Sequence, residues 1–249
     1  MNLVPPASDE RQSRGMRRRL FHDPPRRQRL IFSFSLLSLA SVSFLAYLGE
    51  QLPVIPFDLV ATRELQAISN TLFLRFMVFS SLFGFMPWVS IVITGGVLVV
   101  GVLRGWRDGA YLLALTAVES GVNQLLKQAI GRPRPPNTLV EVFMPLSGAS
   151  FPSGHVMFYT VFFGFLCFLA WRHCATAFWR AVSCGLTGSL IVAVGPSRIY
   201  LGAHWLSDVI AAYLCGSIIL AFGIEFYLRD LAPLHPNEVV STDDHASKS

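Results

Sequence analysis

The chain has 249 residues, 53% of them hydrophobic and only 14% charged, with a formal net charge of +5 and a mean hydropathy of +0.51. An ordinary soluble domain carries roughly 25% charged residues. This balance excludes a disordered chain, a charged DNA-binding domain and a soluble globule with one core, and leaves a polytopic membrane protein.

The first 29 residues hold Arg11, Arg14, Arg17, Arg18, Arg19, Arg26, Arg27 and Arg29, eight of the 20 Lys and Arg. A basic tail ahead of an apolar run marks the cytoplasmic face and anionic lipid. It lacks the interleaved aromatic platform on which single-stranded nucleic acid stacks. Six apolar runs follow, at residues 30–48, 86–103, 111–128, 156–171, 178–194 and 205–228. Pro53 and Pro56, the stretch from Gly105 to Gly109, the Pro-rich segment 131–136 and Gly195-Pro196 separate them. About 20 apolar residues make a bilayer-spanning helix. The first run is too long for a signal peptide's apolar region and lacks a clear small-x-small cleavage site, so it reads as a retained anchor. The fourth is short, which predicts a helix that begins a turn before Val156.

Residues 57–85 are ambiguous. Asp58, Arg63, Glu64 and Gln66 precede an apolar part that carries Arg75. The segment reads as an amphipathic helix at the outer interface leading into the second span; the alternative is a seventh span. The basic residues decide. With six spans and the N-terminus inside, fourteen Lys and Arg lie on the inner side and six outside, whereas a seventh span puts Arg104, Arg107, Arg172 and Arg180 outside. Tryptophan agrees: Trp88 and Trp205 fall at outer ends, and Trp106, Trp171 and Trp179 at inner ends. The expected architecture is all-α, a membrane bundle of six transmembrane helices with an outer interfacial helix. A basic cytoplasmic tail (1–29) precedes the membrane domain (30–231), and a polar tail (232–249) follows it. Cys167, Cys174, Cys184 and Cys215 sit in apolar runs without a C-x-x-C, and read as small hydrophobic residues.

The outer exceptions to the charge bias carry the information. Lys127, Arg132 and Arg134 fall in one outer loop, which also holds Pro152-Ser153-Gly154-His155. Arg198, His204 and Asp208 fall in the other outer loop, so both can converge on one face. Arg presents a planar fork to phosphate oxygens and Lys a point charge. Ser153 offers a hydroxyl, and the Gly154 backbone N–H can approach an anion closely. His204 and Asp208 stand four apart, as on one helix face, so the carboxylate can orient one ring nitrogen and leave the other free to attack. His155 suits a facing proton donor. Glu119 and Asn123, four apart in the third span, read first as a helix–helix hydrogen bond.

Lys127 with Arg134-Pro135, then Pro152-Ser153-Gly154-His155, then Ser197-Arg198, His204 and Asp208, resemble the three-part signature of the type 2 phosphatidic acid phosphatase superfamily. That superfamily also includes vanadium haloperoxidases and bacterial acid phosphatases. The resemblance covers roughly residues 85–228, with no departure at a signature position. It implies that His204 attacks phosphorus and forms a phosphohistidine, that Asp208 holds its tautomer, and that His155 protonates the leaving oxygen and then activates water. It implies that Lys127, Arg134, Ser153, Gly154 and Arg198 bind the phosphoryl oxygens, with no metal and no cofactor. The layout is similar to the membrane branch. The expectation is therefore a bacterial inner-membrane phosphatase, both termini cytoplasmic and the site on the other face. It acts on a lipid phosphate or diphosphate such as undecaprenyl diphosphate, phosphatidic acid or phosphatidylglycerophosphate. The rival readings are a phosphotransferase with the same site, a non-catalytic lipid-binding or transport protein, and a haloperoxidase, whose family members are soluble.

Overall fold

The computed structural model describes residues 24–52 and 54–231. The expectations for most of the basic tail and for the polar tail at 232–249 lie outside the described residues. Among the described residues eight α-helices follow one another: α1 (Pro24–Gln51), α2 (Pro56–Gln66), α3 (Thr71–Ser81), α4 (Trp88–Arg104), α5 (Trp106–Ile130), α6 (Gly154–His173), α7 (Ala177–Tyr200) and α8 (Leu206–Asp230). No strand occurs among the described residues.

Local chemistry sets the ends that matter for function. Pro56 opens α2, where a missing N–H costs nothing. Asn70 caps α3 by accepting from the backbone of Leu72 (2.8 Å) and Phe73 (3.1 Å). Gly131 ends α5 with φ 62°, a left-handed turn that favours glycine, and steers the chain into Arg132-Pro133-Arg134. Helix α6 starts at Gly154, ahead of Val156 as expected.

Helix α6 is the axis of the bundle and packs on α5, α7 and α8. Val156, Met157, Tyr159, Val161 and Phe165 are fully enclosed, and Phe165 meets Tyr227 of α8 edge to face at 5.6 Å. Helix α1 packs on α8 through Val42 and Ala211, with Phe151 between them.

Four described helices are long and apolar enough to cross a membrane: Arg26–Gln51, α6, α7 and α8. A fifth crossing results if α3 with its following 3-10 turn (Leu82–Gly84) forms one span with α4, to which it is bent by 60°. Helix α5 has 25 residues but is not among them; it carries Arg107, Asp108, Glu119 and Lys127.

Two local expectations change. The segment 57–85 forms two helices, α2 and α3, rather than one, and both pack on α7 with Asp58, Thr62, Met77, Ser80 and Ser81 buried. Gly195-Pro196 does not end the fifth run, because α7 continues through Pro196 to Tyr200. The Tyr213 hydroxyl explains why. It accepts from Gly195 N (3.2 Å) and donates to Ile191 O (2.5 Å), bridging a turn of the ladder that the proline disturbs. Arg198 thereby stands in the last turn of a helix rather than in a loop.

Candidate active site

The C-terminal end of α5, the loop before α6 and the turn between α7 and α8 meet at one end of the bundle. Their backbones are tied directly: Ser150 N donates to Arg132 O (2.7 Å), Ser153 N to Asp208 O (3.2 Å), and His204 N to Arg198 O (3.2 Å). These bonds bring together all eight residues singled out in the sequence.

His204 precedes α8 and is 2% exposed. Its Nδ1 lies 3.6 Å from Oδ2 of Asp208, beyond normal hydrogen-bond length. Ser150 fills the gap: its hydroxyl donates to the same Oδ2 and lies 3.4 Å from Nδ1. On the other side, Nη1 of Arg134 lies 3.1 Å from Nε2 of His204. Arginine can only donate, so Nε2 accepts and Nδ1 carries the proton. The ring is therefore neutral, with its lone pair on the face turned to the cations. Burial pushes its pKa down to about 3, and Arg198 and Arg134 add to that against the pull of Asp208.

Asp208 has two structural duties besides facing His204. Its Oδ2 accepts from Trp205 N at 2.9 Å, which caps α8 at its positive end. Its Oδ1 accepts from Arg132 Nη1 at 2.7 Å. Arg132 also reaches Asp58 Oδ2 at 2.8 Å, and both side chains are buried. Asp58 in turn accepts from Ser207 N (2.8 Å) and Ser207 Oγ (2.6 Å). Arg132 is thus committed to two carboxylates and does not join a phosphate cluster.

The cations are held differently. Lys127 Nζ donates to Ala149 O at 2.8 Å, and Arg134 donates to Gly148 O (3.1 Å), Ala149 O (3.2 Å) and Ala203 O (2.8 Å). Arg198 is fully buried, yet only Nη1 has a partner, Ser81 Oγ at 3.1 Å. Ser81 and Ser197 meet at 2.6 Å, and Ser197 donates to Met77 O, so the hydroxyls relay Arg198 back to α3. Phe85 covers its guanidinium at 5.0 Å.

Three enclosed side chains have unpartnered atoms here, four atoms in all: Arg198 Nε and Nη2, Ser153 Oγ and His155 Nε2. Leaving a buried donor unpaired costs about 1–3 kcal/mol. His155 lies within electrostatic reach of Arg198, His204, Arg134 and Lys127. Its ring stacks edge-on to Phe85 at 4.4 Å and packs so closely on Gly84 that a Cβ there would stand 2.2 Å from Cδ2. A Cβ on Gly154 would meet Asn123 Oδ1 at 3.1 Å. Asn123 makes the expected helix–helix contact, donating to Met157 Sδ of α6 (3.2 Å), and also reaches Pro152 O (3.3 Å). Glu119 and His155 line one cavity of about 240 Å³.

Sequence reasoning missed Asp58, Ser81, Ser150 and Ser207. Nothing in their spacing signals them, because each acts through a residue distant in the chain. Among the described residues, no three His, Cys, Asp or Glu side chains are placed to hold a metal ion.

A fold of apolar helices around a buried, cation-lined histidine defines an all-α integral membrane protein with a cluster of basic side chains at one end of the bundle. The family model of the PAP2 superfamily matches residues 108–230, just under half of the chain, and that stretch contains all three motif blocks. Phosphatidylglycerophosphatase B of Bacillus subtilis is 28% identical over 153 residues, covering 53% of this chain and 72% of the relative. Lipid A 1-phosphatase of Rhizobium johnstonii is 39% identical over 128 residues, covering 48% of this chain and 45% of the relative, less than half its length. The crystal structure of a transmembrane PAP2 type phosphatidylglycerolphosphate phosphatase from Bacillus subtilis matches 80% of this chain and 98% of its own, with a TM-score of 0.70 and 21% identity. That of Aquifex aeolicus LpxE matches 70% of this chain and 98% of its own, with a TM-score of 0.58 and 21% identity. At these identities the two structures are alike in fold.

Proposed function

We propose that the chain is a membrane lipid phosphatase that hydrolyses a phosphate or diphosphate monoester through a phosphohistidine. The observation that carries this reading is the set of unpartnered buried atoms of Arg198, Ser153 and His155 beside a neutral His204. A tetrahedral oxyanion satisfies these groups together, as no single side chain can.

His204 Nε2 attacks phosphorus in line with the leaving oxygen, its Nδ1–H held toward Asp208. A new P–N bond forms as the P–O bond breaks, and His155 gives its proton to the leaving alkoxide. The second step reverses these roles. His155 takes a proton from water, the hydroxide attacks the phosphohistidine, and His204 leaves with phosphate released. Arg198, Ser153 and the Gly154 N–H hold the equatorial oxygens. Lys127 and Arg134 add charge to this site from positions fixed by the carbonyls of residues 148–149. No metal enters these steps.

The substrate class follows from the setting. Apolar chains stay in the bilayer while the phosphorylated head reaches the site at the helix ends. The names of the relatives point to phosphorylated lipids, phosphatidylglycerophosphate and lipid A, and neither names an isoprenyl diphosphate. Six crossings, with α4 and α5 both spanning, keep both termini cytoplasmic and the site on the opposite face of a bacterial inner membrane. This arrangement is supported by the basic residues near the N-terminus and at Arg104, Arg107, Arg172 and Arg180.

The test is phosphate release by purified protein across phosphatidylglycerophosphate, phosphatidic acid, undecaprenyl diphosphate and lipid A 1-phosphate, with and without EDTA. The account expects stoichiometric free phosphate that EDTA leaves unchanged and His204→Ala abolishes. Release that persists in His204→Ala, or that needs a divalent cation, contradicts it.

A further inference from the structure

The end of the bundle remote from His204 holds a second built feature. A cleft of about 550 Å³ lies between α4, α6 and α7, within the size range of small-molecule sites. At 1.5 Å per residue, His173 at this end stands roughly 27 Å along α6 from His155, so the cleft is separate from the catalytic groups. Its walls are apolar: Val99, Leu103, Leu166, Leu169 and Leu186. Its polar lining includes Arg104 and His173, the last residues of α4 and α6.

These two side chains are held by a chain of bonds that reaches across the bundle. Arg104 Nη2 donates to His173 Nδ1. That leaves His173 a proton on Nε2, which faces Tyr227 Oη at 3.4 Å and Asp108 Oδ2 at 3.8 Å. Tyr227 donates to Asp108 Oδ1 at 2.9 Å. The relay fixes Arg104 through one of its nitrogens; its other guanidinium donors have no protein acceptor among the described residues. The surrounding charge is positive in excess. Arg107 is paired with Asp230 at 2.5 Å and Asp108 takes the Tyr227 hydroxyl, which leaves Arg104, Arg172 and Arg180 without a carboxylate partner among the described residues. Arg180 reaches the cleft wall at Cys174 O (3.1 Å) and has an enclosed Nε with no partner.

We propose that this cleft is a second lipid site, which holds an acyl chain of an anionic phosphodiester phospholipid between α4, α6 and α7 with the headgroup phosphate on Arg104. Charge complementarity selects this occupant. A zwitterionic head brings its own cation among Arg104, Arg172 and Arg180, whereas a phosphatidylglycerol head does not. A phosphodiester is also not a phosphate monoester, so the proposed catalysis does not consume it. The inference rests on the cleft, its surplus of positive charge and the bilayer setting, and stands whether or not the catalytic reading does.

The full-length protein is placed in phosphatidylcholine vesicles with a photoactivatable phosphatidylglycerol, and the crosslinked peptides are mapped by mass spectrometry. Crosslinks are expected in 99–104 and 166–174, displaced about five- to tenfold better by phosphatidylglycerol than by phosphatidylcholine of the same chains. Arg104→Gln is expected to remove that preference and leave phosphate release unchanged. Leu186→Trp, which fills an exposed wall, is expected to remove the cleft crosslink itself. Inorganic phosphate is expected not to compete. Equal displacement by the two lipids, a preference that survives Arg104→Gln, or crosslinks confined to 127–134 and 198–208 and lost only in Arg198→Ala would each overturn the proposal.

Discussion

Arg134 donates from Nη1 to Nε2 of His204 at 3.1 Å, so a group proposed to bind the phosphate also covers the lone pair proposed to attack it. A phosphoryl oxygen that draws this N–H away both binds and uncovers the nucleophile. Arg134→Lys keeps the charge but loses the fork. It is expected to lower kcat/KM about 10²- to 10³-fold and to weaken inhibition by vanadate in parallel, measured by phosphate release from a lipid phosphate. An unchanged vanadate inhibition constant counts against the shared role.

His204 is held neutral, with its pKa near 3 against an unfolded value of about 6.5. The unfolded chain takes up a proton as pH falls through about 6.5, and the folded chain does not until about 3. This group therefore costs no stability above about pH 6.5 and lowers it progressively between there and about pH 3. Thermal denaturation in detergent at pH 7 and pH 5 is expected to show a smaller acid loss in His204→Gln than in wild type. A ¹⁵N spectrum is expected to show the His204 ring still neutral at pH 5.

Arg132 joins Asp58 of α2 to Asp208 of α8, both buried. Removing one partner of a buried pair costs about 3–5 kcal/mol, because the other charge is left uncompensated. Arg132→Ala is expected to lower the melting temperature strongly. Asp58→Asn keeps the Ser207 contacts in part and is expected to be milder, with kcat reduced more than KM is raised. A variant at Arg132 with wild-type melting and activity contradicts this placement.

Gly84 gives His155 its seat. A methyl group there stands 2.2 Å from Cδ2 of the ring, so Gly84→Ala displaces the proposed acid while leaving His204 and its partners untouched. Activity is expected to fall about 10²- to 10⁴-fold, the span attributed to general acid–base catalysis, with little change in melting temperature. Substrates with a more acidic leaving alcohol are expected to lose less. Equal loss across leaving groups argues against an acid role for His155.

The motif residues were legible in the sequence because each carries its own chemistry at a recognisable spacing. Lys127, Arg134, Ser153, His155, Arg198, His204 and Asp208 all converge at one end of the bundle. The supports were not legible. Asp58 looked like a charged residue on an interfacial helix, and its burial depends on Arg132 and Ser207, each more than seventy residues away. Pro196 read as a helix end because the rescue comes from Tyr213, a side chain on the next helix. The crossing helices are legible only in part. The sequence reads residues 111–128 as a span, whereas α5, which carries Glu119, Asn123 and Lys127, is not apolar enough to count as one by length and composition.

The most direct test of the central claim is to trap the covalent intermediate. Purified protein is mixed with a ³²P-labelled lipid phosphate, quenched in base and mapped by mass spectrometry. The account predicts label on His204, absent in His204→Ala and persisting longer in His155→Ala, where water activation is lost. Turnover with no labelled histidine in any variant, or label retained in His204→Ala, would contradict it.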